Sequence, residues 1–255
     1  MTHDRIGTIE AYLVAAKHAA LDREYDRTRV DRVLQCPVCS ARAPYAALKR
    51  NESLCRFNGG RLERHYCLVC NALFGPAKML DMTPGELSTE YAILYSSYQE
   101  GDTGVDTIRT FRSMEPERGP VYLDWGSGWW SDAVRNLRLE GWNVWGFEPT
   151  PGGPKDHIVT DYGHIAPGLA GIYSNNVIEH LQDPVAEFLR MRALLGEGGK
   201  MAHSSPCYEE RYLDTRFHTV FFLDDSIEVL AERTGFEVVL REKDDEYINT
   251  VFRAV

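Results

Sequence analysis

Apolar and polar positions along this chain of 255 residues change their period twice. Over residues 8–30, Ile9, Leu13, Ala16 and Ala20 recur at helical spacing with charges between them, which predicts an amphipathic helix. Residues 33–80 lose that period and carry two cysteine pairs, with Cys55 alone between them and Gly59 and Gly60 marking a turn. From Thr83 the pattern is mixed and partly helical. Pro84 stands where a first helical turn would begin, with Thr83 as its cap. Tyr91, Tyr95 and Tyr98 follow at spacings of four and three, which share one helix face. Beyond Gly119-Pro120, short apolar runs alternate with amphipathic stretches. Strands are predicted at 121–125, 143–147, 157–160, 171–175 and 200–204, and helices at 131–141, 183–195 and 224–234. Two closing strands, EVVLRE and YINTVF, end the series. Such alternation predicts a mostly parallel, three-layer α/β sheet. The chain then divides into a helical segment at 1–32, a small cysteine module at 33–80, a helical linker or lid at 81–118, and an α/β domain at 119–255.

The cysteines change this picture most. Cys36 and Cys39 form one C-x-x-C pair and Cys67 and Cys70 another, 27 residues apart. Two such knuckles in a module with few large apolar residues can surround a tetrahedral ion, and four thiolates suit zinc. Four protein ligands leave no open position, so the ion would be structural. Binding it contributes about 10–16 kcal/mol to a fold of this kind. The alternatives are two unrelated pairs or a redox pair, and His65 could replace one cysteine.

Charge and composition mainly exclude. Hydrophobic residues at 44% and charged residues at 26% are those of a globular protein. No apolar run approaches the length needed to cross a bilayer. The first residues carry early charges and no apolar core of signal-peptide type, so the cytoplasm is the expected compartment. The net charge is −10, unevenly spread: residues 1–80 hold 13 Lys/Arg against 8 Asp/Glu, and the remainder 15 against 30. The acidic second part speaks against nucleic acid as a partner.

The chemistry is carried by Val121-Tyr-Leu-Asp-Trp-Gly-Ser-Gly-Trp129. A strand ends in Asp124, and Gly126 and Gly128 turn the chain toward a helix whose free amides suit an anionic group. The next strand ends at Glu148, twenty-four residues after Asp124, where an acid can accept both hydroxyls of a ribose. A dinucleotide site would want a third glycine where this chain has Trp130. With Glu148 and the later S-N-N-V-I-E-H-L, the pattern resembles class I S-adenosylmethionine-dependent methyltransferases, and the order of segments from Tyr122 to Val255 follows that family. The resemblance implies a Rossmann-like, seven-stranded, mostly parallel sheet whose last strand is antiparallel. It implies that Asp124, Gly126 and Gly128 hold the methionine end of S-adenosylmethionine and that Glu148 binds its ribose. It places Asp161 and Tyr162 at the adenine, and Asn175 and Asn176 beside the sulfonium. A plain turn acid is an equal reading of Asp161. The paired cysteines, the run R-H-Y-C-x-x-C-N-A-L-F and the Tyr-rich segment also resemble a bacterial group with a zinc ribbon fused to this domain, some of whose members methylate sugars or natural products.

Methyl transfer to a hydroxyl or carbon acid needs a base near the acceptor, and histidine titrates in the right range. His180 follows the fourth strand, and His218 closes the polar, aromatic loop 204–219 after the fifth; either is a candidate base at the ligand-binding edge of the sheet. Together these features predict a small-molecule or glycan acceptor, with a nucleotide-linked sugar as one candidate. An RNA methyltransferase gripping its substrate through the ribbon is a second reading. A cofactor-binding regulatory protein without turnover is a third.

Overall fold

The computed structural model describes residues 2–98, 101, 103–129, 131–150 and 156–255, with the backbone alone for residues 2–8. Trp130, singled out above, lies outside the described residues. In chain order the elements begin with helix α1 (Thr2–Thr28), then β1 (Val33–Gln35), β2 (Arg42–Pro44), β3 (Arg50–Leu54), β4 (Arg61–Tyr66) and β5 (Leu73–Phe74). Helices α2 (Ala77–Leu80), α3 (Pro84–Ser97) and α4 (Gly104–Ser113) follow. The remainder runs β6 (Tyr122–Trp125), α5 (Asp132–Leu139), β7 (Val144–Phe147), β8 (Ile158–Val159), β9 (Leu169–Asn175), α6 (Pro184–Leu194), β10 (Leu195–Ser204), β11 (Val220–Phe221), α7 (Ser226–Arg233), β12 (Phe236–Asp244) and β13 (Tyr247–Ala254).

Seven strands form one sheet in the order β12-β13-β10-β9-β6-β7-β8. Strands β8, β7, β6, β9 and β10 pair in parallel, and β13 is antiparallel to both β10 and β12. This is the Rossmann-like sheet of the methyltransferase fold. Strand β6 is buried along its whole length, as expected of a central parallel strand covered on both faces. Helix α5 presents Ala133, Val134 and Leu137 to the sheet, and α6 presents Phe188, Met191 and Leu194. Thr83 caps α3 as expected: its side chain accepts from the Glu86 amide, and the Glu86 carboxylate accepts from the Thr83 amide.

No strand was predicted within the cysteine module, and in the α/β part of the chain one more escaped the pattern. The dipeptide Val220-Phe221 pairs antiparallel with Leu73-Phe74, so the cysteine-bearing sheet has the order β11-β5-β4-β3 and its edge strand comes from the second part of the chain. Two residues are too few to show a period. The cores are likewise continuous, since Cys36, Val38, Cys67, Cys70 and Phe74 belong to the same buried apolar cluster as Met191, Ile227, Phe236 and Phe252. No helix among the described residues is long and apolar enough to cross a membrane.

A buried charge cluster ties the N-terminal helices to the loop between β10 and β11. Glu90 of α3 is fully buried and accepts from Lys17 Nζ (2.7 Å) and Arg216 Nε (2.8 Å), with His18 Nε2 at 3.1 Å. Burial alone would raise its pKa. The bonds from His18 and Lys17 and the Arg216 charge hold it at about 2 instead.

Candidate functional site

The four knuckle cysteines converge. Their sulfur atoms lie within 4.8 Å of one another, with Cys36–Cys70 at 3.7 Å and Cys39–Cys67 at 3.4 Å. Each knuckle is closed by the same backbone pattern: Ser40 N donates to Cys36 O and Asn71 N to Cys67 O, with Ser40 and Asn71 both at positive φ. His65 stands apart from them, buried against Tyr45, with its pKa held near 4 by burial and then by the Arg50 charge.

At the carboxyl end of β6, Asp124 is buried, and Gly126 and Gly128 follow at φ of 72° and 66°. A Cβ on Gly126 would stand 2.8 Å from the Val177 side chain, so only glycine fits there without strain. The Gly128 Cβ position faces open space, and the Trp129 indole N–H is buried without a hydrogen-bond partner among the described residues. The Glu148 carboxylate accepts from Gly128 N at 3.1 Å and from Thr150 N at 2.9 Å, which locks it over the glycine turn. Burial, reinforced by the neighbouring Glu148 charge against a bond from Ser131, pushes Asp124 up to about 8. A buried carboxyl, a glycine cradle with room above it and an acid at the next strand end fit a nucleoside-linked amino acid.

Asn175, Asn176, His180 and His218 all line one cavity of about 280 Å³ at the carboxyl edge of the sheet. The two imidazoles meet edge to face with centroids 5.0 Å apart. Tyr91, Tyr95 and Tyr98 form another wall, with Tyr91 against His180 and Phe217. Val177, next to Asn176 in the chain, stands over Gly126. Asp161 belongs to neither group: it accepts from Gly163 N two residues on, a local turn bond. Tyr162 packs edge-on near Trp125 and donates to Arg190 O.

His180 Nδ1 lies 3.1 Å from the Phe217 carbonyl, which can only accept, so Nδ1 carries the proton and Nε2 a lone pair. Burial holds the His180 pKa near 4. His218, pushed well below its ordinary value by burial and then by His180, has Nδ1 3.2 Å from Cys207 Sγ. Both rings are neutral at physiological pH.

Residues that sequence reasoning missed hold the far side of this cavity. Arg64 of β4 is fully buried and donates to the carbonyls of Leu213 (2.7 Å), Thr215 (2.6 Å) and His218 (3.0 Å). Ser53 Oγ donates to the Leu213 carbonyl, and Arg56 pairs with Asp214 through two bonds. The loop bearing His218 is thus laid against β3 and β4 of the cysteine module. An arginine at an inward strand position gives no sequence signal beyond its place in R-H-Y-C.

Comparison with known proteins supplies the family. The family described as "Methyltransferase domain" matches residues 102–241, more than half of the chain. The fold is similar to that of a 1,6-didemethyltoxoflavin-N1-methyltransferase from Burkholderia thailandensis, solved with bound 1,6-didemethyltoxoflavin and S-adenosylhomocysteine. The TM-score is 0.55 and the identity 13%, over 76% of this chain and 96% of that one. It is also similar to LaPhzM, at a TM-score of 0.50 and 12% identity, over 67% of this chain and 61% of that one. Among curated proteins, none matches by sequence. The glycine turn, the seven-stranded sheet with its antiparallel β13 and the matched family agree, and the chain belongs to the methyltransferase-domain family as a class I S-adenosylmethionine-dependent methyltransferase.

Proposed function

We propose that this enzyme methylates a small polar acceptor of about the size of a sugar ring, with His180 receiving the acceptor proton. The observation that carries this reading is the ring of His180 in the cavity beside Asn175 and Asn176, its Nδ1–H engaged by Phe217. The tyrosines, together with Arg56, Asp106 and Glu246 on the same cavity, suit a ring bearing hydroxyls. S-Adenosylmethionine supplies a methyl group already activated for displacement. In this reading Asp124, Gly126 and Gly128 hold its amino-acid end and Glu148 its ribose, and the cavity walls orient the acceptor. Asp161 and Tyr162 would stand toward the cofactor's adenine.

Zinc in the cysteine cluster is part of the same proposal. A tetrahedron with Zn–S bonds of about 2.3 Å has edges of about 3.8 Å, close to the two sulfur separations above. The ion would brace β3 to β5, and through β11 and Arg64 the loop that closes the acceptor side.

Three results are expected. First, protein given methyl-labelled S-adenosylmethionine and a fractionated extract transfers label to the small-molecule fraction. His180→Ala lowers the rate about 10²–10⁴-fold with cofactor affinity unchanged; label found only in RNA would sink this reading. Second, Asp124 holds a proton at pH 7 with its pKa at about 8, and a cationic amino group brought beside it favours the carboxylate. S-Adenosylhomocysteine binding therefore releases a proton and tightens as pH rises from about 6 to about 8. Calorimetry in buffers of different ionisation enthalpy reads the release, which Asp124→Asn abolishes; equal release in the variant would remove Asp124 from the role. Third, purified protein carries one zinc bound by the four cysteines. Its chelation deprotects amides of β3 to β5 and of residues 209–219 in hydrogen exchange while β6 and β9 stay protected; unchanged exchange would contradict the bracing role.

A further inference from the structure

Outside the paired cysteines, three donors of different chemistry converge at the base of the acceptor cavity. Glu179 follows β9, Cys207 follows β10, and His218 precedes β11; one ligand atom from each lies within 4.8 Å of the others. Glu179 and Cys207 are fully buried, and Glu179 and His218 line the cavity. We propose that Glu179, Cys207 and His218 form a second metal site, for a divalent ion of the zinc class, with its open coordination position facing the acceptor.

The backbone holds the three donors in place without an ion. Thr219, next to His218, donates through its amide (2.8 Å) and its hydroxyl (3.3 Å) to the Glu179 carbonyl. Phe222 N donates to Cys207 O at 2.8 Å, and the Cys207 amide donates to Ser205 Oγ. Arg64 fixes the His218 carbonyl from the other side. The three side chains therefore sit on segments cross-tied to one another, as a site that discriminates among ions requires.

The donor set selects the ion. One thiolate and one carboxylate neutralise a divalent charge, and a neutral imidazole completes three ligands of the borderline softness that zinc and cobalt favour over magnesium or calcium. Cys207 Sγ and His218 Nδ1 are 3.2 Å apart, bridged by a hydrogen bond. Sulfur and nitrogen on one tetrahedral zinc stand about 3.5 Å apart. Loss of the thiol proton and an opening of a few tenths of an ångström admits the ion. Three protein ligands, unlike the four of the cysteine cluster, leave a position for an exogenous oxygen. Here it opens on the cavity, where an acceptor hydroxyl bound to the ion would become more acidic.

The site takes the acceptor cavity of the proposed function as its setting, but its test does not depend on turnover. Metal per chain is measured on full-length zinc-loaded protein, then Co²⁺ alone is added. The expected parent holds two divalent ions per chain at saturation, and cobalt entering the second site gives a sulfur-to-cobalt charge-transfer band of single-thiolate intensity. Cys207→Ser abolishes that band and the second equivalent while the ion of the paired cysteines stays. Glu179→Gln weakens the second equivalent more than about 100-fold, beyond the loss typical of outer-shell changes, and reads the site if Cys207→Ser does not fold. A parent that saturates at one ion, or a second ion indifferent to both substitutions, overturns the proposal. S-Adenosylhomocysteine titration of the same samples separates the two readings. Cofactor binding without a second ion leaves the methyltransferase reading standing alone, and a second ion without cofactor binding does the reverse.

Discussion

The acceptor half of the site depends on the burial of one guanidinium. Arg64 is wholly inside the protein, and no carboxylate among the described residues forms an ion pair with it. Burial lowers its pKa to about 10, so it keeps its charge at neutral pH. Taking such a charge out of water costs several kcal/mol unless its donors are satisfied. The carbonyls of Leu213, Thr215 and His218 satisfy them. These carbonyls converge only if the loop between β10 and β11 follows the contour of β4, so one side chain dictates the path of the segment that presents His218. The pairing of β11 with β5 fixes the end of the same loop.

The two halves of the site are therefore built by different parts of the chain. The cofactor turn grows from the parallel sheet itself: a buried β6, a glycine that tolerates Val177 above it, and Glu148 pinned to the turn by Gly128 and Thr150. The acceptor wall is assembled from the cysteine module, α3 and the 205–219 loop. The buried Glu90 joins the last two to α1 through Lys17, His18 and Arg216. Removing one partner from a buried cluster of this kind strands the remaining charges at a cost of about 3–5 kcal/mol. The same ion pairs that place Arg216 also place its neighbour Phe217, whose carbonyl sets the His180 tautomer. A sheet that supports cofactor binding and a separate scaffold that shapes the acceptor side let one change without the other.

What was legible in the sequence was local. The Asp124-to-Gly128 turn, Glu148 at the next strand end, the Thr83 cap and the two knuckles each declare themselves within a few residues, because backbone conformation and short-range ligand spacing carry the signal. Every predicted strand of the α/β domain appears within a few residues of its expected position. His180 and His218, drawn from separate segments, also meet in one cavity. Hidden from the sequence were β11, the Arg64 clamp and the Glu90 cluster, whose bonds join residues 72 to 154 positions apart or strands of only two residues. A buried arginine and a surface arginine look alike in a pattern. Of the two readings of Asp161, the turn acid has a visible bond, from Gly163 N to Oδ1.

The β6 turn and Glu148 are proposed to form the S-adenosylmethionine site. Calorimetric titration with S-adenosylhomocysteine of the parent protein beside Glu148→Ala tests it most directly. Micromolar binding to the parent, about −8 kcal/mol, is expected, and its loss in a variant that remains folded. Absence of binding to folded parent protein, or equal affinity in the variant, would contradict it.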